Sequence, residues 1–200
     1  MAEGGGIKYT YEYDICGRIK AKKACGRTLV SYTYDLNGNK KSVTDATGKS
    51  TCYEYDISNR LLRISECDRV LAEYVYTLGG KVSRIVCGDI VTGYEYDADG
   101  RYAGIRVSVG ENVISDIRYG YDDKGNCIKK ANVADGINAI TEYRYDGIGR
   151  ITGVTGPDIS ESYAYDRAGN RVSRMTDKGI MESYRYNEVN ELLKCWMQQR

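Results

Sequence analysis

Histidine and phenylalanine are absent from the 200 residues, and proline and tryptophan occur once each. Without histidine, imidazole-based triads, histidine general bases and most zinc sites are excluded. Charge of one sign is also missing: 29 basic against 28 acidic residues leaves +1, with no like-charge run of the kind that marks a footprint for nucleic acid or an anionic membrane. Apolar runs are far shorter than the roughly 20 residues that span a bilayer, so no membrane insertion is expected. The N-terminal Met-Ala-Glu-Gly-Gly-Gly has neither the basic nor the apolar region of a secretory signal, and residues 1–8 read as a flexible lead-in. Seven cysteines, an odd number, contain no C-x-x-C spacing. They read as reduced, buried thiols, with Cys67 and Cys87 the pair if a disulfide forms.

What is abundant is tyrosine, 20 residues, with 23 glycines. Tyrosine favours strands and glycine marks turns, which leans the chain to all-β. The tyrosines are ordered. Pairs spaced Tyr-x-Tyr stand at Tyr11/Tyr13, Tyr32/Tyr34, Tyr53/Tyr55, Tyr74/Tyr76, Tyr94/Tyr96, Tyr119/Tyr121, Tyr143/Tyr145, Tyr163/Tyr165 and Tyr184/Tyr186. Successive second tyrosines are 21, 21, 21, 20, 25, 24, 20 and 21 residues apart, so the chain is an array of about nine repeats over 9–193, with 194–200 a truncated last unit.

Each part of the unit has a local meaning. Two residues apart, paired rings share one face of a strand, and the residue between them points to the other. Five of those nine in-between residues are charged, so that face is expected to be wet and the ringed face partly dry. Asp-x-x-Gly follows as a type I turn, Asp accepting from the backbone and Gly supplying unrestricted φ: Asp14/Gly17, Asp35/Gly38, Asp56/Asn59, Asp97/Gly100, Asp122/Gly125, Asp146/Gly149 and Asp166/Gly169. Asn59 and Asn190 take the glycine place because asparagine is the next most tolerant of positive φ. Thr77 and Asn187 replace the aspartate, so weaker turns are expected there.

After the turn comes Arg, Lys or Asn, then an apolar residue such as Ile19, Leu61 or Val82, and another three residues on, such as Val43, Ile64 or Ile85. A spacing of three cannot keep both on one face of a regular strand, so a bulge or strand end lies between them. The unit is then strand, tight turn, strand, looser turn. The two long units carry their extra residues at Gly110-Glu111-Asn112 and Asp135-Gly136. At the C-terminus the repeat register predicts a strand, although Val189, Leu193 and Trp196 also have helical spacing.

The unit Tyr-x-Tyr-Asp-x-x-Gly-Arg-Ile, seen at Tyr11 to Ile19 and Tyr143 to Ile151, with the Gly-Asn-Arg form at Tyr163 to Arg171, resembles the YD or Rhs repeat family from about Tyr9 to Leu193. The resemblance implies a continuous curved or spiralling sheet of antiparallel hairpins, part of an Rhs-type cocoon, which in bacterial secreted or cell-surface polymorphic toxins encloses a toxin or other cargo segment. It implies as partners the rest of such a polypeptide or the enclosed segment. The family's plug, with an Asp-Pro motif that cleaves the chain, has no counterpart: Gly156 precedes the single Pro157, and self-cleavage is not implied.

Competing readings are weaker on chemistry. The aspartates are accounted for by turns, and segments such as Asp97-Ala-Asp99-Gly100 lack the later glutamate of a calcium loop, so no catalytic group, metal or cofactor is expected. The tyrosine rows allow an alternative, a carbohydrate- or partner-binding cell-surface module. Open sheets also have two edges, which allow self-association.

Overall fold

The computed structural model describes residues 7–133 and 138–199, and the Asp135-Gly136 dipeptide lies outside them. Every regular element among them is a strand. Two compact units divide the chain, Met1–Gly93 and Tyr94–Arg200.

In the first unit β1 (Tyr9–Tyr13), β2 (Ile19–Ala24), β3 (Arg27–Tyr34), β4 (Lys40–Asp45), β5 (Ser50–Tyr55), β6 (Leu61–Glu66), β7 (Arg69–Tyr76) and β8 (Val82–Cys87) are followed by β9 (Ile90–Tyr96), which runs on into the second unit. Each strand pairs antiparallel with the next, from β1 with β2 to β8 with β9. The second unit repeats the plan with β10 (Tyr102–Val109), β11 (Asn112–Tyr121), β12 (Cys127–Asn132), β13 (Ala139–Tyr145), β14 (Ile151–Gly156), β15 (Ile159–Tyr165), β16 (Arg171–Thr176), β17 (Ile180–Tyr186) and β18 (Leu192–Gln199). The last element is thus a strand, not a helix.

The pairing places the bulge. Tyr55 faces Leu61 and Glu54 faces Arg63, so Leu62 is the extra residue; the same step occurs at Glu12/Tyr13, Thr33/Tyr34, Val75/Tyr76, Gly120/Tyr121, Arg144/Tyr145, Ala164/Tyr165 and Arg185/Tyr186. The inserted residue restores alternation. Leu61 and Ile64, three apart, both return to the tyrosine face, opposite Tyr55 and Tyr53.

Two expectations are corrected. Among the described residues the second turn of the unit is as tight as the first: two residues suffice at Cys25-Gly26, Cys67-Asp68, Gly88-Asp89 and Gly110-Glu111. The cysteines are not buried, since Cys16, Cys25, Cys67, Cys87 and Cys195 are exposed and Cys52 and Cys127 are half-buried. The reason is a thin core. Only Ala21, Ala72, Ala131 and Val154 are buried apolar residues among those described, so little interior exists to receive a thiol.

Candidate functional site

The turn after each tyrosine strand is built by its own residues. The Asp14 carbonyl accepts from the Gly17 amide at 3.0 Å, while the Asp14 amide donates to the Arg18 carbonyl at 2.9 Å. Gly17 sits at φ 76°, giving a three-residue loop in which a type I turn is closed by a left-handed residue. The carboxylate completes it. Asp14 Oδ1 accepts the Cys16 and Arg18 amides, each at 2.9 Å, and Oδ2 accepts Arg18 Nε at 2.7 Å. The same fork forms at Asp56/Arg60, Asp97/Arg101 and Asp146/Arg150, and in amide form at Asp35/Asn39, Asp122/Asn126 and Asp166/Asn170. The amides of Arg18, Arg60 and Arg150 are the leading cause holding Asp14, Asp56 and Asp146 below the ordinary carboxylate range; for Asp35, Asp122 and Asp166 it is the asparagine side chain.

The turns without aspartate keep the same frame. Thr77 N–H reaches the Lys81 carbonyl at 2.8 Å and Asn187 N–H the Glu191 carbonyl at 3.0 Å. Thr77 Oγ1 accepts only at 3.2 Å, whereas Asn187 Oδ1 accepts the Glu191 amide at 2.8 Å. The remaining turn residues stand at φ 89° (Gly38), 60° (Asn59), 79° (Gly100), 87° (Gly125), 85° (Gly149) and 94° (Gly169).

From this turn the arginine reaches the next repeat. Arg18 lies over the ring of Tyr34 at 4.4 Å, Arg60 over Tyr76 at 4.7 Å, Arg101 over Tyr121 at 4.6 Å and Arg150 over Tyr165 at 4.5 Å. The ring answers through its hydroxyl. Tyr34 Oη donates to the Ile19 carbonyl at 2.8 Å, Tyr76 to Leu61 at 2.7 Å, Tyr121 to Tyr102 at 2.8 Å, Tyr145 to Cys127 at 2.7 Å, Tyr165 to Ile151 at 2.7 Å and Tyr186 to Arg171 at 3.0 Å. Each such carbonyl belongs to the residue just after the arginine or asparagine, so Tyr34, Tyr76, Tyr121 and Tyr165 are gripped at face and tip by the preceding repeat and Tyr145 and Tyr186 are held at the tip. Burial is the leading cause that raises the phenols of Tyr55, Tyr76, Tyr121 and Tyr145.

The rings are half-buried from Tyr32 onward within the pairs, while Tyr11 and Tyr13 are exposed, Tyr13 by 58%. Tyr9 extends that exposed row, and Tyr102 packs on Tyr94 and Tyr96 with centroids 5.8 and 5.1 Å away. The in-between residues are exposed apart from the half-buried Gly120. The tyrosine face is not uniformly apolar. In the unit of β15 and β16, Arg171 and Arg174 take the two aliphatic places, opposite Tyr165 and Tyr163. Arg174 bridges Glu161 and Glu182, and their carboxylates also accept the hydroxyls of Tyr163 and Tyr184. The Arg174 hydrogen bond is the first cause that takes Glu161 down to about 2.

Between neighbouring turns run open furrows, one lined by Asp122, Asn126, Tyr143 and Asp146 and another by Asp166, Asn170, Tyr184 and Asn187. No group of three metal-ligating side chains occurs among the described residues. The interlocking arginines and asparagines were visible in the sequence only as a preference after each turn; their recurrence four residues beyond each turn-opening residue was the available signal.

No curated protein sequence matches the chain. Solved structures do. The structure of TcdB2-TccC3 aligns with a TM-score of 0.79 at 16% identity, covering 96% of this chain and 12% of that one. TcdB2-TccC3-TEV gives 0.76 at 16% identity over 96% of this chain and 11% of that one, and TcdB2-TccC3 without its hypervariable C-terminal region 0.73 at 18% over 90% and 12%. The chain thus spans about an eighth of these neighbours and shares their fold. The family model described as Teneurin YD-shell matches residues 2–140 and 94–198, in agreement with the repeat and its turns, and the chain belongs to that family.

Proposed function

We propose that this chain is a non-enzymatic structural module, a stretch of β-shell that helps to enclose a toxin or other cargo segment in a secreted or cell-surface protein of Rhs type. The observation that carries the reading is the grip of one repeat on the next, through Arg60 over Tyr76 and the Tyr76 hydroxyl on Leu61, with hydroxyl equivalents at Tyr34, Tyr121, Tyr145, Tyr165 and Tyr186. Such contacts join neighbours only, so wall can be extended repeat by repeat. The 18 paired tyrosines and the turn residues serve as structural elements of that wall. Its partners are the remainder of a longer polypeptide and the segment held inside.

The test is protection. An unstructured reporter segment fused after Arg200 is expected to survive limited proteolysis several-fold longer than the same segment behind an unrelated β-domain. Equal cleavage rates would reject enclosure.

The exposed row Tyr9, Tyr11 and Tyr13 favours a second reading, a carbohydrate- or partner-binding surface. Tyrosine fluorescence titration with cell-wall sugars is expected to show nothing tighter than micromolar; saturable tighter binding would turn the assignment to that reading.

A further inference from the structure

The first position after each turn-opening residue is exposed, and in the first four repeats it is always a branched aliphatic. Ile15, Leu36, Ile57 and Leu78 are 104%, 107%, 101% and 110% exposed. The turn does not require this. That position of a type I turn accepts most residues and favours proline if anything. Because β1 to β8 form a meander, the four turns lie at the same end of their strands, two strand spacings apart. The side chains therefore stand about 10 Å from one another along a rim of about 30 Å. Scattered apolar residues are ordinary on a surface, but four in consecutive register are not.

The turn segments behind the tips carry a net positive charge. Across the four seven-residue segments that begin at Asp14, Asp35, Asp56 and Thr77 the net charge is +3. Arg18 and Arg60 offset Asp14 and Asp56 in this count, and the other charged residues of the four segments are Lys20, Lys40, Lys41 and Lys81 against Asp35. The five equivalent segments of the second unit, beginning at Asp97, Asp122, Asp146, Asp166 and Asn187, sum to −3. Their tips carry Ala98, Asp123, Gly147, Arg167 and Glu188 at the same position. The difference is specific to the first unit.

We infer that the rim of Ile15, Leu36, Ile57 and Leu78 is a peripheral docking edge for an anionic phospholipid surface. The aliphatic tips enter the boundary between headgroups and acyl chains while the lysines one layer back meet the lipid phosphates. The same net +3 would oppose itself across two identical rims, which disfavours a second copy of this chain as the occupant.

Co-sedimentation of the full chain with phosphatidylcholine vesicles, with and without phosphatidylglycerol, tests the assignment. Binding is expected only with phosphatidylglycerol and is expected to weaken with salt. The combined Ile15→Ser, Leu36→Ser, Ile57→Ser and Leu78→Ser variant should bind at least about tenfold more weakly, given the transfer energy of such side chains. An Ile148→Ser plus Val189→Ser control in the second unit should bind as the parent does. Leu36→Trp gives a direct readout, with its fluorescence quenched by brominated lipid. The assignment is overturned if the parent chain does not sediment with anionic vesicles, if the four-serine variant binds as the parent does, or if the control loses as much. It is equally overturned if the four serines abolish self-association in a chain that ignores vesicles, since the rim would then belong to a second copy.

Discussion

The Asn39 side-chain amide donates to Asn59 Oδ1 at 2.8 Å, across the boundary between two repeats. Asn170 does the same to Asn190, also at 2.8 Å. Asn59 and Asn190 are the two turns in which asparagine replaces glycine, at φ 60° and 64°. Where the preceding repeat carries arginine, the facing residue is glycine: a Cβ on Gly38 would stand 3.6 Å from Arg18 Nη1, and one on Gly80 3.6 Å from Arg60 Nη1. Arginine thus meets bare backbone and both asparagines at the glycine place are met by a short amide, while Asn126 also faces a glycine, its Oδ1 3.5 Å from a Cβ on Gly149.

Asn59→Ala should be more damaging than Asn59→Gly. Alanine forgoes the amide bond and also holds a left-handed conformation that costs about 1–2 kcal/mol, whereas glycine adopts it freely. Asn39→Arg alone should destabilise by crowding Asn59, and adding Asn59→Gly should recover most of the loss. Urea midpoints of the four variants check the coupling.

Tyr76→Phe removes only the hydroxyl that donates to the Leu61 carbonyl and leaves the ring beneath Arg60. The expected loss is about 1 kcal/mol, the net value of one hydrogen bond. Arg60→Ala should add its own loss, and a double-mutant cycle should show coupling between the two, because both act on one ring. Independent, additive effects in denaturant unfolding would contradict the interlock.

High pH should loosen the array. The phenols of Tyr55, Tyr76, Tyr121 and Tyr145 are raised in the folded chain, chiefly by burial. The unfolded chain releases those protons first, near pH 10. The stabilisation is complete below that pH and disappears as pH rises through the higher folded values. Tyrosinate absorbance should accordingly reach completion at higher pH in the folded chain than after denaturation.

Acid acts at a different place. Glu161, held at about 2 chiefly by the Arg174 hydrogen bond, contributes stability that is present above the ordinary carboxylate range and is lost as pH falls through about 2. Arg174→Met should return Glu161 toward its ordinary value and shift acid unfolding to higher pH, while Glu182, held down first by the Tyr184 hydroxyl, should respond less. Ellipticity followed from neutral pH downward in both chains measures the shift.

The repeat, its period and its turns were legible because everything that fixes them lies within a few residues. Asp14 meets Cys16 and Arg18 on its own turn, and any chain bearing Asp-x-x-Gly-Arg can make those bonds alone. The tyrosine alternation is likewise local. The spacing of three between Leu61 and Ile64 announced an irregularity but not its place, because a bulge exists only relative to a partner strand. Pairing with Tyr55 and Glu54 assigned it to Leu62.

Sequence alone determined which residues turn the chain and which share a strand face, through bonds that close over about five positions. Tertiary structure decided how deeply the rings are covered, that Arg174 replaces an aliphatic beneath Tyr163, and that Arg18 finds Tyr34. Those contacts join residues 11 to 16 positions apart, and they form only after each hairpin has folded back and the next has docked on it. Exposure of the cysteines was decided there too. Burial is a property of what lies opposite, and strands that pair edge to edge leave little volume in which a small thiol can be enclosed.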